Sequence, residues 1–287
     1  MKNFRAYFLL FIAVVALCSC DLAKNNKALI SEAGKALVEE LDQKDGEAGV
    51  CDASAGAAEA DDKLVMQTSP KGTPEQILER TGYVASYNKT TLLPNWVAWH
   101  LTAERTEGSA KRSGVDFAED TEVPEPRATD WDYYNSGYDR GHMCPAADNK
   151  WSKKAMEESF LFTNMCPQNG NLNRGDWNEM EMACRKWAKK YGDLYIVCGP
   201  ILYKGKHKTI GKNKVVVPEA FFKVVLRTGD DPQAIGFIYK NTSGNRPKDS
   251  YVNTVDEVER ITGIDFFPSL PDNVEKNVEA TADIANW

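Results

Sequence analysis

Residues 138–145 read Tyr138-Asp139-Arg140-Gly141-His142-Met143-Cys144-Pro145, and the reading of this stretch decides the arrangement of the rest. It sets two charged side chains, a glycine and an imidazole at an apparent strand end. The chain has three histidines, and His142 is the one placed among charged partners and a glycine at an apparent strand end. Alone, an Asp-Arg-Gly-His run is most often structural. Downstream, Thr163-Asn164-Met165-Cys166-Pro167-Gln168 repeats the Met-Cys-Pro tripeptide, with Asn164 standing where His142 stands in the first copy. The simplest geometry brings two neighbouring strand ends together and presents His142 and Asn164 to one place; a chance tripeptide match is the alternative. On that geometry Cys144 and Cys166 are expected to form a disulfide, with Cys184 and Cys198 as a second pair.

A third segment runs Asn171-Leu172-Asn173-Arg174-Gly175-Asp176-Trp177-Asn178-Glu179-Met180-Glu181 and on to Arg185. Asn173, Trp177, Glu181 and Arg185 are spaced by four, so at about 100° per residue they share one helical face. Trp177 would anchor that face, with Glu181 and Arg185 as a charged pair one turn apart; a solvated ion pair has the same spacing. Along a continuous helix Asn173 and Glu181 would stand roughly 12 Å apart, too far to ligate one ion together. One amide-oxygen ligand, with the carboxylate acting through water, suits Mg²⁺, which gives up its waters reluctantly.

One imidazole, one amide oxygen, one carboxylate and several arginines match the needs of phosphodiester hydrolysis. An imidazole takes a proton from water at neutral pH. A metal on Asn173 would act as a Lewis acid, and Arg140 and Arg185 offer forked donors to phosphate oxygens. Asp139-Arg140-Gly141-His142, Asn164 with Pro167-Gln168, and Leu172-Asn173 followed by Trp177 and Glu181 resemble the DNA/RNA non-specific endonucleases. This is the ββα-metal nuclease family that includes endonuclease G-like enzymes. The resemblance covers about residues 83–268, including Pro94-Asn95-Trp96-Val97-Ala98 and Thr262-Gly263-Ile264-Asp265-Phe266-Phe267. It implies His142 as general base, Asn173 as the sole direct protein ligand of Mg²⁺ (with Mn²⁺ as a substitute), and Glu181 as a metal residue acting through water. It further implies Arg140 and Arg185 as phosphate-stabilising arginines, Asn164 as an active-site asparagine, and Arg112, on a looser local match, as an upstream arginine. The implied partners are DNA and RNA, held through the phosphate backbone.

Before this region, Lys2 and Arg5 precede the apolar run Phe8-Leu9-Leu10-Phe11-Ile12-Ala13-Val14-Val15-Ala16-Leu17 and then Cys18-Ser19-Cys20. A charged start, a short apolar run and a small-residue end describe an export signal over residues 1–19. Its ending resembles a lipoprotein processing box that would lipidate Cys20 and attach the chain to a membrane; cleavage without a lipid is the alternative. The expectation is an exported protein, either a bacterial cell-envelope lipoprotein or a periplasmic or secreted one, in which paired cysteines are the default and Cys51 is left over. Residues 20–80 read as an acidic flexible tether with a short helix over 28–41, and residues 81–287 as the folded domain. In that domain, strands are expected over 84–87, 96–101, 194–197, 215–217, 221–226 and 234–239. Residues 116–129 read as a Pro- and acid-rich loop, and helices are expected over 153–159 and 176–191. Thr254 caps a last helix that Gly263 ends. Strands and helices do not alternate regularly, which predicts an α+β fold with a largely antiparallel central sheet flanked by helices, and the resemblance implies a ββα-metal core within it.

The 287 residues carry a net charge of −7, which argues against a nucleic-acid partner when taken whole. A hydrophobic share of 42% excludes a chain disordered throughout. The acid surplus is uneven: residues 21–80 hold 13 acidic and 7 basic side chains, and residues 249–287 hold 9 and 2. The intervening segment is left net positive and contains Lys204, Lys206, Lys208, Lys212 and Lys214, a run that a solvated hairpin would equally explain. Two rival functions remain at this level: a catalytically inactive, lipid-anchored nucleic-acid-binding protein, and a structural surface lipoprotein. No protein partner is evident in the pattern.

Overall fold

Apolar runs and their alternation place the strands of this computed structural model, which describes residues 63–229 and 231–287. Residues 63–227 and 233–287 belong to one unit, and the description concerns that unit. In chain order the strands are β1 (Gln76–Glu79), β2 (Val84–Asn88), β3 (Leu93–Leu101), β4 (Asp139–His142), β5 (Met165–Gln168) and β6 (Leu194–Ile201). They continue with β7 (Thr209–Ile210), β8 (Val215–Val216), β9 (Ala220–Arg227), β10 (Gln233–Lys240) and β11 (Val252–Asn253). Seven form one sheet in the order β1-β2-β3-β6-β9-β10-β11, every neighbouring pair antiparallel. The principal helices are α1 (Lys153–Glu158), α2 (Asn178–Tyr191), α3 (Val255–Thr262) and α4 (Asp272–Glu279). The α+β class and the antiparallel sheet expected from sequence are both present.

β9 is buried along its whole length, as a strand covered on both faces must be. Phe221 and Val225 of β9 and Ile235, Phe237 and Tyr239 of β10 share a core with Met180, Cys184 and Trp187 of α2. Successive side chains point to opposite faces. Phe222 accordingly turns the other way and meets Phe266, with ring centroids 5.4 Å apart. On that second face Gly236 lets α3 approach: a Cβ there would lie 2.6 Å from Val258 Cγ2. α3 itself begins where Thr254 Oγ1 accepts the Glu257 N–H (3.2 Å) and ends on Gly263 at φ +72°, as its cap residues predict. Among the described residues no helix is long and apolar enough to cross a membrane.

Several expectations need correction. The tether was expected to reach residue 80, yet β1 occupies 76–79 and Val65 and Gln67 are buried. Of the four β1 residues only Leu78 is buried, and Pro70, Gly72 and Pro74 punctuate the approach, so the segment carries almost no strand pattern. The run at 215–217 pairs with β7 in a separate two-stranded hairpin and takes no place in the main sheet. The expected signal over 1–19, lipidated Cys20, the helix over 28–41, Cys51 and the tether up to residue 62 lie outside the described residues.

The disulfides are also absent: Cys144, Cys166, Cys184 and Cys198 are buried and free. The β4–β5 register explains the first pair. The strands are antiparallel with His142 opposite Met165, so Cys166 faces Gly141 while Cys144 lies beyond the strand end. Two Met-Cys-Pro copies running in opposite directions separate their cysteines by three residue steps, about 10 Å, which is beyond bridging range. Cys198 Sγ donates instead to the Met143 carbonyl (3.3 Å). Burial pushes the Cys184 thiol up to about 12 and that of Cys198 up to about 11, which keeps both protonated and inert. Alkylation in denaturant without reductant is expected to label these four cysteines, and alkylation of the native protein to label none of them. A Cys144–Cys166 linked peptide in the digest would contradict the register.

Candidate active site

The two short strands β4 and β5 form a ribbon in which Asp139 pairs with Gln168, Arg140 with Pro167, Gly141 with Cys166 and His142 with Met165. Gly141 is required by contact: a Cβ there would sit 2.3 Å from Gln168 Oε1. The chain past His142 is pinned by Asn164. Its Oδ1 accepts the Cys144 N–H (2.8 Å), and its Nδ2 donates to the carbonyls of Cys144 (2.9 Å) and Ser159 (2.8 Å). From below, Trp177 Nε1 donates to the His142 carbonyl (3.3 Å), and its ring packs between Phe221 and Tyr239. Fully buried aromatics of this kind cost about 3–5 kcal/mol when truncated to alanine.

His142 opens on a cavity of about 1000 Å³ lined also by Arg112, Arg140, Asn173, Glu181 and Arg185. Six of the seven residues singled out from sequence are therefore gathered at one place. Asn164 is the exception: it is fully buried, its amide is committed to backbone, and it does not line the cavity. It holds the turn that carries His142.

The imidazole packs on Phe117 (5.7 Å) and edge-on to Phe160 (5.0 Å), and its Nε2 is buried without a hydrogen-bond partner. Burial, and then the charge of Arg112, lowers its pKa to about 3. The ring is thus neutral at ordinary pH. Arg112 stands over the Phe160 ring at 5.5 Å, which links it to the same wall.

The helix that was expected to run unbroken is interrupted. Residues Asn173–Trp177 form a π-turn in which Gly175 has φ −100° and ψ −113°, and α2 begins at Asn178. The regular four-residue register, and the 12 Å separation built on it, therefore do not carry across this turn. Asp176 fastens the turn from outside, its Oδ2 accepting the N–H of Asn245 (2.7 Å) and the Tyr251 hydroxyl. Asn173 Nδ2 donates to Asp139 Oδ2 (3.0 Å), which orients the amide and leaves Oδ1 for the cavity. The Glu181 carboxylate makes no hydrogen bond or ion pair with the described residues, and burial pushes it up to about 7, against the pull of Lys223. An oriented amide oxygen and an unpartnered carboxylate in one cavity fit a hard divalent cation.

Arg140 is held by Asp130 through Nε (2.6 Å) and lies over the Phe117 and Tyr133 rings. Arg185 does not pair with Glu181 as its spacing suggests; its Nη1 donates to Asp148 Oδ1 (2.8 Å). Asp148 is 2% exposed and also accepts from Trp99 Nε1 (3.1 Å). Behind it lies Lys223, fully buried, its Nζ 4.9 Å from the Trp99 ring centroid and 4.4 Å from that of Trp177. Burial opposes its charge, but the acidic groups around it, with Glu181 and Asp148 the ones that ionise at ordinary pH, outweigh burial and raise its pKa. Sequence reasoning missed Asp130, Asp148 and Lys223. Lys223 had a signal: it is the one charge in the run Phe221-Phe222-Lys223-Val224-Val225-Leu226.

This arrangement sets a pH dependence. The Glu181 carboxyl in the folded protein, at about 7, lies above its unfolded value near 4.3, so its burial costs stability increasingly as pH rises between them. Lys223 reduces that cost. Lys223→Met is therefore expected to lower stability little at pH 5 and by about 3–5 kcal/mol at pH 8, where carboxylates lose their buried cation. Denaturant unfolding at the two pH values measures the difference, and an equal loss at both would show that packing alone was removed.

Comparison with known proteins identifies the family. The family model described as DNA/RNA non-specific endonuclease matches residues 61–273, reaching further at both ends than the motif resemblance. The chain is 39% identical over 218 residues to "Nuclease EXOG, mitochondrial" of Danio rerio, covering 69% of this chain and 64% of that one. It is 34% identical over 209 residues to "Endonuclease G, mitochondrial" of Homo sapiens, covering 68% of this chain and 70% of the relative. A crystal structure of the EndoG/EndoGI complex superposes with a TM-score of 0.65 at 32% identity, covering 69% of this chain and 87% of that one. The cavity lined by β4 and α2 thus belongs to a chain of the DNA/RNA non-specific endonuclease family.

Proposed function

We propose that this protein is a divalent-metal-dependent endonuclease that hydrolyses the phosphodiester bonds of DNA and RNA without sugar specificity. The observation that carries the reading is the charge of the cavity wall around a neutral imidazole. Lys111, Arg112, Arg140, Lys150, Arg174 and Arg185 line it against only Asp139 and Glu181. Such a wall attracts a phosphate backbone although the chain as a whole is acidic.

His142 is the general base: its ring is neutral, and the negative charge of a bound phosphate, offsetting Arg112, would raise its affinity for a proton of the attacking water. The Arg112 guanidinium makes no hydrogen bond with the described residues, and Arg140 and Arg185 keep guanidinium nitrogens beyond those bound to Asp130 and Asp148. These nitrogens donate to the phosphoryl oxygens as charge builds. Their carboxylate partners fix the guanidinium planes before substrate arrives. Asn173 Oδ1 would hold Mg²⁺, with Mn²⁺ as a substitute and Glu181 acting through water, and the ion would supply Lewis-acid polarisation of the scissile phosphate and its leaving oxygen. Asn164 acts on the reaction only by positioning His142.

The charged, apolar and small-residue pattern of residues 1–20 supports export, with Cys20 lipidated and the chain held at a cell envelope, or released as a periplasmic or secreted form. The relatives named mitochondrial bear that description for themselves.

Purified protein is expected to cleave both plasmid DNA and RNA with Mg²⁺ and to stop with chelator. His142→Ala should lose about 10²–10⁴-fold in rate while retaining its circular dichroism spectrum. Chelator-insensitive cleavage, or none with any divalent ion, would count against the reading, as would near-full rate in the His142 variant.

A further inference from the structure

On the sheet face that carries α3, away from the cavity, a second group of oxygens converges. Asp256 and Glu259 stand three residues apart on α3 and so share a side of it, and Glu279 closes α4. One carboxylate oxygen from each of the three lies within 4.8 Å of the other two. Glu279 is 6% exposed, and its Oε1 is buried with no hydrogen-bond partner. Among the described residues no lysine or arginine pairs with any of the three; Arg260, on the same helix, is committed to Glu257 (2.7 Å). Glu259 Oε1 accepts the Phe266 N–H (2.8 Å), which fixes its direction. Glu275 and Asp265 add further negative charge nearby.

An unpartnered carboxylate pressed against two others is costly to bury, and the fold retains it only if something positive or a proton sits between them. The number of carboxylates selects the ion: Ca²⁺ takes six to eight oxygen ligands in flexible geometry and accepts several carboxylates at once, whereas Mg²⁺ keeps most of its waters and is held by one or two. The donor set is all oxygen, without imidazole or thiolate, which suits a hard cation. Asp256 is exposed, so water can complete the coordination. We propose that Asp256, Glu259 and Glu279 form a calcium site that ties α3 to α4, separate from the catalytic cavity and independent of the nuclease reading.

The test is thermal unfolding of the full chain, stripped of metal and titrated with CaCl₂ or MgCl₂. The Asn173→Ala variant is included so that any binding in the catalytic cavity is discounted. A saturable Ca²⁺-dependent rise in Tm is expected in both the wild type and Asn173→Ala, with Mg²⁺ raising Asn173→Ala less. Glu279→Gln should lose that rise while cleaving plasmid in Mg²⁺ at the wild-type rate. If Glu279→Gln does not fold, Asp256→Asn, at an exposed ligand, carries the test and should weaken apparent Ca²⁺ affinity at least tenfold. No Ca²⁺ response in Asn173→Ala, or an undiminished one in the ligand variants, overturns the site. A Glu279→Gln protein more stable than wild type, with neither responding to Ca²⁺, assigns the cluster to a shared proton and overturns it equally.

Discussion

A lysine ammonium sealed between two tryptophan rings governs what the floor of this site can hold. Lys223 lies on a central strand with no exposure, and the groups that face it are Asp148, Glu181 and two thiols. A buried ion cluster is seldom more stable than an apolar core of the same volume. The cation is therefore explained by its neighbours. Asp148 orients Arg185 by a 2.8 Å hydrogen bond, and Glu181 presents an unpartnered carboxylate to the cavity. Both need a compensating charge behind them, because in front of them the cavity must stay open to substrate. Trp99 and Trp177 supply the enclosure, and each also donates its indole N–H to the site, to Asp148 and to the His142 carbonyl. Packing, charge balance and the placement of His142 are thus carried by the same few side chains.

The β4–β5 ribbon adds a constraint of register. His142 can occupy its place only while Gly141 lets Gln168 pass, and only while Asn164 holds the backbone at Cys144. A one-residue slip would turn the imidazole away from the cavity. Rigid backbone on this side faces a π-turn on the other, where Asn173 leaves the regular helical ladder and is steered by Asp139. Asp139 thereby couples the ribbon to the turn, and Arg174 takes the same carboxylate oxygen (2.5 Å). The amide of Asn173 is oriented by a residue that belongs to the same short motif as His142.

Much of this was readable in the chain because it is local. The strands expected over 194–197 and 221–226, which the fold extends to 194–201 and 220–227, the capped helix from Thr254 to Gly263, and the gathering of His142, Asn173 and Glu181 follow from period, caps and short motifs. What was not readable depends on pairing in space. The repeated Met-Cys-Pro suggested a disulfide, but strand direction, which a linear repeat does not encode, drives the two cysteines apart. Four-residue spacing suggested a Glu181–Arg185 pair, yet Asp148, distant in sequence and buried, competes better for the guanidinium. Asn164 matched a functional position by motif and serves it through backbone hydrogen bonds. β1 escaped notice since only one of its side chains points inward.

The uneven charge of the chain acquires a physical meaning once the sheet is in place. The cavity side gathers six basic residues against two acidic ones, while the acid-rich residues 249–287 supply α3 and α4 on the other face. Had those carboxylates fallen on the α2 side, they would have opposed any polyanion approaching His142. Placed behind a fully buried strand such as β9, they are separated from it by the thickness of the sheet and by screening over about 10 Å at ordinary salt. An acidic protein can in this way present a basic cleft. The same separation leaves the carboxylates of α3 and α4 to repel one another at close range, so the demand for a counter-charge arises where the substrate cannot meet it.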